Sequence, residues 1–166
     1  MIDKLENIIN QRPIDRHLMG LDIGSKMIGV ALSEGTHHVA TPYKTVTRKK
    51  FSKDIKALEA IIREYNVGGY VIGYPLNMDG TEGRKCQSVR DFAMEFERQL
   101  NPELVVGESP WIALWDERLS TATVENFVDE AVDMSKRRAK EKGFIDTLAA
   151  QFILQGALDY IQDNKI

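Results

Sequence analysis

Three acidic side chains stand where a carboxylate could do chemistry rather than face water. Asp22 lies in a predicted strand and shares its face with Leu18 and Gly20, where a carboxylate is costly to bury without a partner. Glu117 follows an apolar predicted strand at its carboxyl end, where open α/β sheets place their ligand crevices. Asp146 lies near the start of a long helical pattern, in line with its apolar face. These positions indicate a site built from oxygen ligands.

Each of the three carboxylates also has a purely structural interpretation. Asp22 could start the turn at Gly24 through a hydrogen bond from the backbone to its side chain. Glu117 could belong to a solvated turn, and in a continuing strand Asp116 points to the opposite side, so only one of the two faces a crevice. Asp146 could cap the helix that follows it. On sequence alone, both interpretations of each residue stay open.

Carboxylates on three different elements are typical of sites for hard divalent cations such as Mg²⁺ or Mn²⁺. Two such ions about 4 Å apart can activate a water molecule and stabilise the leaving oxygen of a phosphodiester. This chemistry requires neither His nor Cys, and we expect His37 and His38 to be exposed loop residues rather than ligands. The single cysteine, Cys86, excludes an internal disulfide and a Cys-rich zinc site.

The composition is that of an ordinary globular protein. The chain has 166 residues, of which 43% are hydrophobic and 28% charged, and this length suits one domain with its own core. No apolar stretch approaches the length of about 20 residues that a membrane span requires. The polar N-terminus does not resemble a secretory signal and the single cysteine fits a reducing compartment, so we expect a cytoplasmic protein without membrane partners.

The net charge of −3 argues only weakly against a nucleic-acid partner. A carboxylate cluster contributes negative charge that bound cations would offset. The basic residues also cluster locally, although each cluster could equally be a solvated face. The clusters are Arg48, Lys49, Lys50 and Lys53; Arg84 and Lys85; and Lys136, Arg137, Arg138, Lys140 and Lys142.

The hydrophobic patterns predict an α/β fold with a mixed five-stranded sheet and helices on both faces. The predicted strands are 17–24, 26–33, 39–47, 70–74 and 111–115. The predicted helices are 51–65, 84–100, 144–161 and one from Ser120 or Thr121 to Val132, with a basic linker at 135–142. Pro42 favours the sheet edge for the third strand. Residues 1–16 are expected to be an N-terminal extension, helical by its apolar spacing, ahead of a single domain at 17–166.

Four segments of the chain closely resemble motifs of the bacterial YqgF (RuvX) family, in order and spacing. The segments are GLDIGSKMIGVALSEG, VIGYPLNMDGTEG, DERLST and IDTLAAQFILQ, and the resemblance covers about residues 17–160. Members of this family are described as Holliday junction resolvases and as pre-16S rRNA nucleases. The resemblance implies a ribonuclease H-like fold with Asp22, Glu117 and Asp146 as catalytic residues and metal ligands. It further implies that Asp22 bridges two Mg²⁺ or Mn²⁺ ions and that each of the others holds one.

The resemblance also carries over residues expected to contact substrate. Those at motif positions are Asn77, Gly80, Thr81, Arg118 and Thr121, and the neighbouring basic pair Arg84 and Lys85 completes the predicted substrate-binding set. The sequence departs from the family pattern at two positions. Met27 stands where a basic residue is common, which puts one backbone contact in doubt, and Glu34 stands where Asp is common. Only three metal-ligand positions are identifiable, whereas some relatives of the fold use four.

We therefore expect a metal-dependent endonuclease that processes the 5′ end of pre-16S rRNA, with structured RNA as its first partner and branched DNA as its second. Resolution of a symmetric four-way junction would call for a two-fold dimer, and the sequence leaves monomer and homodimer open. A different alternative is a non-catalytic RNA-binding or transcription-associated factor with a vestigial site. The Asp22–Ser25 segment also resembles the first phosphate loop of actin-like ATPases and sugar kinases, but the chain contains no second such motif.

Overall fold

The computed structural model describes residues 1–119 and 144–164, which form a six-stranded sheet with helices on both faces. The strands are β1 (Ile2–Lys4), β2 (His17–Ile23), β3 (Met27–Ser33), β4 (Ala40–Thr47), β5 (Val67–Tyr74) and β6 (Trp111–Asp116). The helices are α1 (Leu5–Ile8), α2 (Phe51–Tyr65), α3 (Arg84–Gln99) and α4 (Phe144–Asp163). The predicted helix after Ser120 and the basic linker at 135–142 lie outside the described residues.

The sheet has the order β1-β6-β5-β2-β3-β4 and is mixed, as predicted. The strands β2, β3 and β4 form an antiparallel meander, whereas β1, β6, β5 and β2 run parallel to one another. Strand β4 lies at the sheet edge and pairs Pro42 with Ala31 beside a shift of register. The prediction from Pro42 is confirmed, because an edge strand tolerates a residue that has no N–H to donate.

The predicted count of five strands was wrong by one, because Ile2–Lys4 form a strand that pairs in parallel with Ile112–Leu114 of β6. The apolar spacing of residues 1–12 suggested a helix, and only the single turn α1 and a 3-10 turn at Ile9–Gln11 are helical. Leu5 is fully buried, so this segment packs against the sheet. A strand of three residues is too short to show an alternating apolar pattern, and its partners on β6 lie more than a hundred positions away in the sequence.

Two apolar cores lie on opposite faces of the sheet, which confirms the prediction of helices on both faces. On one face α2 and α3 bury the side chains of Met19, Leu21 and Ile72, among others. On the other face α4 and α1 pack against Leu18, Val71 and Ala113. None of the helices in the described ranges combines the length and the apolar character that crossing a bilayer requires.

The β3–β4 loop overturns one expectation about its histidines. His37 is buried with 2% of its surface exposed, and its Nε2 lies 2.7 Å from the Arg16 carbonyl oxygen. The loop folds back onto the N-terminal segment, where the Arg12 side chain donates to His37 Nδ1 at 3.3 Å. His38, by contrast, is exposed as predicted. Buried against these contacts, His37 helps to join the loop to the domain.

Glu34, one of the two departures from the family pattern, organises this loop. Its carboxylate accepts hydrogen bonds from the backbone N–H groups of Thr36, His38 and Val39. Burial opposes ionisation, but the hydrogen bonds from Thr36 and from the two later N–H groups lower the pKa of Glu34 to about 2. Glu therefore performs a structural role at this position, away from the carboxylates of the site.

Candidate active site

Asp22 is the next-to-last residue of β2, at the end of the strand beside the turn into β3. Its Cα pairs with that of Gly29 on β3. Leu18 alternates onto the same face of β2 and belongs to the core under α4, so the Asp22 side chain is directed to the α4 side of the sheet. The turn is closed by the Gly24 N–H, which donates to the Met27 carbonyl at 2.9 Å. The turn thus forms through the backbone, without the Asp22 side chain.

Asp146 approaches Asp22 across Gly29. It is the third residue of α4, inside the first turn rather than at the capping position before the helix. A Cβ added to Gly29 would lie 2.0 Å from the Asp146 carbonyl oxygen, a distance that no side chain could occupy. The absence of a side chain at Gly29 therefore lets the start of α4 descend onto the sheet next to Asp22.

Glu117 approaches Asp22 from the other direction, across Gly73 of β5. It follows β6 directly and opens a 3-10 turn, Glu117–Leu119. A Cβ added to Gly73 would lie 2.5 Å from Glu117 Oε1, so the carboxylate occupies the space that a side chain would fill. Gly73 comes one position after Ile72, the parallel partner of Leu21 on β2. The Glu117 carboxylate thus reaches over β5 toward the end of β2.

The pKa shifts show that these carboxyls interact. Burial raises the pKa of Asp22 above its ordinary value, and the negative charge of Asp146 raises it further. Burial also raises the pKa of Glu117, with a further rise caused by the negative charge of Asp22. The Lys85 ammonium lowers the pKa of both groups, against these larger effects. Asp22 is therefore the member of the set that interacts with both of the others.

The carboxylate oxygens of the site are ligands that hard cations prefer, but the three carboxylates do not surround a single ion. Within residues 1–119 and 144–164, no three His, Cys, Asp or Glu side chains are arranged to hold one metal ion together. Asp22 is instead shared between two pairs, one with Asp146 and one with Glu117. Mg²⁺ commonly takes one or two carboxylates and completes its octahedron with water and substrate phosphate. Each pair is therefore a set of oxygen ligands that a hard cation could take.

In the described part of the chain, the side chains of Asp22, Glu117 and Asp146 receive no hydrogen bond and form no ion pair, and Lys85 acts on Asp22 and Glu117 only through its charge. Asp22 and Glu117 are only partly exposed. Carboxylates that are withdrawn from water without protein donors are costly, and either a proton or a cation relieves that cost. This is the electrostatic condition that a metal ligand set meets.

A cavity of about 430 Å³ opens at this edge of the sheet. We call its acidic side, Asp22 and Glu117, the carboxylate wall. We call its basic and hydroxyl-bearing residues, Arg48, Lys85, Ser25 and Ser88, the cation wall. Asp146 does not line the cavity and meets Asp22 from the α4 side. The space between the walls can therefore receive an anionic ligand in contact with both acidic and basic groups.

Among the predicted substrate-binding residues, Lys85 lines this cavity. Arg84, its neighbour at the start of α3, is exposed and lies outside the lining. Asn77, Gly80 and Thr81 form a closed turn in the loop from β5 to α3. The Asn77 N–H donates to the Thr81 carbonyl at 2.9 Å, and the Gly80 N–H donates to the Asn77 carbonyl at 2.8 Å. Their backbone contacts with one another fix the shape of this loop.

Arg118 joins that loop to the end of β6. Its guanidinium donates three hydrogen bonds to the Asp116 carboxylate, at 3.1, 3.2 and 2.8 Å, and a fourth at 3.3 Å to the carbonyl of Met78. Asp116 is thereby directed away from the cavity while Glu117 lines it, as the strand alternation predicted. Arg118 positions the loop, whereas Thr121 lies outside the described residues.

Arg48 was missed as a site residue, although it had been noted within a basic cluster. Its backbone N–H donates to the Lys26 carbonyl at 2.8 Å, and its Nη1 donates to the Gly24 carbonyl at 2.9 Å. The guanidinium also lies over the Phe92 ring, 5.7 Å from its centroid. The predicted order of three hairpin-connected strands is the signal that could have placed Arg48 at the site. Two antiparallel pairings bring the end of β4 to the same edge of the sheet as the end of β2.

Met27, the other departure from the family pattern, lies in the strand paired with the end of β4. Its sulfur accepts a hydrogen bond from the Thr47 hydroxyl at 3.6 Å. The thioether supplies no charge at this position, and Arg48 is the next residue after Thr47. Met27 is uncharged, and the positively charged Arg48 lies next to it across the β3–β4 pairing.

Residues 16–160 match the RuvX family, which carries the description "Holliday junction resolvase". A protein of Paramagnetospirillum magneticum named "Putative pre-16S rRNA nuclease" is 47% identical over 145 residues, which are 87% of this chain and 86% of the relative. A protein of Roseobacter denitrificans with the same name is 47% identical over 150 residues, covering 90% and 86% of the two chains. The fold is similar to that of T. thermophilus RuvC in complex with a Holliday junction substrate. The TM-score is 0.56 at 10% identity, covering 89% of this chain and 96% of that one.

Proposed function

Because the chain belongs to the RuvX family, we propose that it is an endonuclease that hydrolyses phosphodiester bonds with the help of Mg²⁺ or Mn²⁺. The observation that carries this proposal is the position of Asp22, between Asp146 on one side and Glu117 on the other. No hydrogen bond or ion pair within the described residues satisfies the side chains of these carboxylates. A set of this kind suits a reaction at a phosphate. The carboxylates and the phosphate are both negatively charged, so bound cations are needed between them.

In this proposal Asp22 and Asp146 would hold one ion, and Asp22 and Glu117 the other. When bound, the ions supply an activated water and charge stabilisation at the leaving oxygen. The protein holds the ligands in place through packing, since Asp146 rests on Gly29 and Glu117 on Gly73. The partial burial of Asp22 and Glu117 strengthens their attraction for cations. The cavity between the two walls admits the substrate backbone.

For the substrate, we propose the 5′ end of pre-16S rRNA, because the relatives at 47% identity are named as nucleases of that RNA. An rRNA substrate fits an activity in the cytoplasm. Four-way DNA junctions are the second candidate, on the description of the family. In either case the groups of the cavity are suited to phosphate and sugar rather than to base edges, so specificity would come from substrate shape.

A paired cleavage assay tests the proposal. Wild type and Asp22→Asn are incubated with a pre-16S rRNA fragment and with a four-way DNA junction, each with Mg²⁺, with Mn²⁺ and with chelator. We expect metal-dependent cutting of the RNA that Asp22→Asn abolishes. Asp91→Asn is the matched control, because Asp91 is an exposed aspartate on α3 that contacts Gln87 and lies outside the cavity.

The other outcomes of this assay are equally informative. Equal cutting by Asp22→Asn, or cutting in chelator, would contradict the role of Asp22. Cutting of the junction alone would reverse the order of the two substrates. Binding of the RNA fragment without cutting in either metal would identify a non-catalytic RNA-binding protein.

A further inference from the structure

Two cations line the same cavity as the carboxylates. Arg48 comes from the end of β4 and Lys85 from the first turn of α3, two elements that are far apart in the chain. Both stand on the α2 and α3 side of the sheet, whereas Asp22 is directed to the α4 side. The hydroxyl groups of Ser25 and Ser88 line the same wall.

Within the described part of the chain, neither cation forms an ion pair at contact distance, although the charge of Lys85 acts on Asp22 and Glu117. Other arginines there form ion pairs. These pairs are Arg63 with Glu103, Arg90 with Glu82, Arg98 with Glu95 and Arg118 with Asp116. Arg48 and Lys85 instead line a cavity without an acidic group in direct contact, which is the arrangement expected of a site for an anionic ligand.

Arg48 is also held in position before any ligand arrives. One of its guanidinium N–H groups donates to the Gly24 carbonyl, and the Phe92 ring supports the plane of the group from below. A guanidinium has five N–H donors, so most remain available to the cavity. Planar, fixed donors of this kind suit the oxygens of a phosphate.

We propose that Arg48 and Lys85 form a two-point seat for a backbone phosphate of the strand that is cut, adjacent to the phosphate at the carboxylate wall. The inference rests on the proposed nuclease function. The Ser25 and Ser88 hydroxyls complete the seat as donors. A phosphate rather than a base is the ligand, because no aromatic residue is among the described residues that line the cavity and Phe92, which Arg48 covers, is buried. The seat therefore holds the strand whatever its sequence.

The test measures binding separately from cutting. Affinity for a fluorescein-labelled single-stranded RNA is followed by anisotropy in chelator across a range of salt concentrations, for wild type, Arg48→Ala and Lys85→Ala. We expect each substitution to weaken binding about tenfold at low salt, the effect of losing one charge-assisted contact. The slope of log affinity against log salt should become shallower by about 0.7 for each cation removed. Lys85→Arg should retain the affinity of wild type.

Control variants distinguish a localised phosphate site at Arg48 and Lys85 from a general effect of positive surface charge. Lys56→Ala removes the same charge from the exposed surface of α2 and should leave affinity unchanged. An equal loss in Lys56→Ala would overturn the seat in favour of a diffuse basic surface. The same series is repeated in the Asp22→Asn protein. A loss that disappears there would overturn the proposal as well, because the cations would then only balance the carboxylate.

This test can fail independently of the nuclease proposal. If Asp22→Asn cuts as well as wild type, the nuclease assignment of the carboxylates fails whatever the binding data show. If wild type cuts in a metal-dependent way but Arg48→Ala and Lys85→Ala bind RNA like wild type, only the seat is wrong. Thermal unfolding of Arg48→Ala checks that lost binding does not arise from a disturbed β2–β3 turn, and Arg48→Lys, which keeps the charge, should bind more tightly than Arg48→Ala.

Discussion

The acidic and the basic groups at the cavity are held in different ways. The Glu117 carboxylate packs over Gly73, and the backbone of Asp146 packs over Gly29. On the cation wall, Lys85 is an exposed side chain, and Arg48 is held by the hydrogen bond from its guanidinium to the Gly24 carbonyl. Close packing against glycines therefore positions the acidic groups, whereas side-chain contacts and side-chain length position the basic groups. Substitutions that disturb the acidic groups should therefore change stability and cleavage, whereas substitutions of the basic groups should mainly change substrate binding.

Gly29→Ala should have the largest effect, because its Cβ would collide with the backbone of Asp146 rather than with a movable side chain. Forcing α4 off the sheet should lower the free energy of unfolding by about 1 to 3 kcal/mol and abolish cleavage. Urea unfolding and the pre-rRNA assay measure both. Gly35→Ala is the matched control, since a Cβ there meets nothing within 4 Å. Equal behaviour of the two variants would show that α4 does not rest on Gly29.

Gly73→Ala should separate activity from stability. Its Cβ would meet Glu117 Oε1 and the Ile153 side chain, each at 2.5 Å, and both can move without displacing backbone. A displacement of the Glu117 carboxylate by about 1 Å could lower kcat by about 100-fold. We expect that loss together with a smaller change in unfolding free energy than in Gly29→Ala. Unaltered kcat would mean that the position of Glu117 is not critical to the reaction.

The carboxylate wall should also lower the stability of the metal-free protein at neutral pH. Asp22 and Glu117 have raised pKa values in the fold, so their contribution to stability is fully present below their ordinary values, 3.8 and 4.5. That contribution is lost as the pH rises through the raised values. Asp22→Asn should therefore increase the unfolding free energy in chelator at neutral pH and have less effect near pH 4. A less stable Asp22→Asn protein at neutral pH would contradict this account of the electrostatics.

The cation wall should give the smallest structural effect. Lys85 is exposed and forms no ion pair or side-chain hydrogen bond in the described residues, so Lys85→Ala should leave the unfolding free energy within about 0.5 kcal/mol of wild type. Its effect should appear in KM for RNA, with kcat changed much less. A large loss of stability in this variant would mean that Lys85 supports the fold, and the contrast between the walls would no longer hold.

The main features of the fold were predictable because they follow from local periodicity. Alternating apolar residues predicted β2 and β3, and the apolar face of α4 aligned Asp146 with the sheet. The strand β1 was not predictable, because its three residues form a strand only by pairing with β6, which lies more than a hundred positions away in the sequence. His37 was misjudged for a similar reason, since its burial depends on the Arg16 carbonyl of a distant segment.

The site was predictable in its acidic residues more than in its basic ones. Asp22 stood out because it interrupts an apolar strand, and the order of the motifs supplied Glu117 and Asp146. Arg48 did not stand out, because a basic residue after a strand usually faces water and only the pairing of β4 places it in the cavity. The packing roles of Gly29 and Gly73 likewise depend on which groups arrive above them.

Calorimetric titration of Mn²⁺ tests the central claim, that Asp22 is shared between two cation-binding pairs. Wild type, Asp22→Asn, Glu117→Gln and Asp146→Asn are titrated in the presence of a single-stranded RNA that resists cleavage. The account predicts two bound ions in wild type, the loss of one in Glu117→Gln and in Asp146→Asn, and the weakening of both in Asp22→Asn. Binding of two ions with unchanged affinity in Asp22→Asn would contradict it.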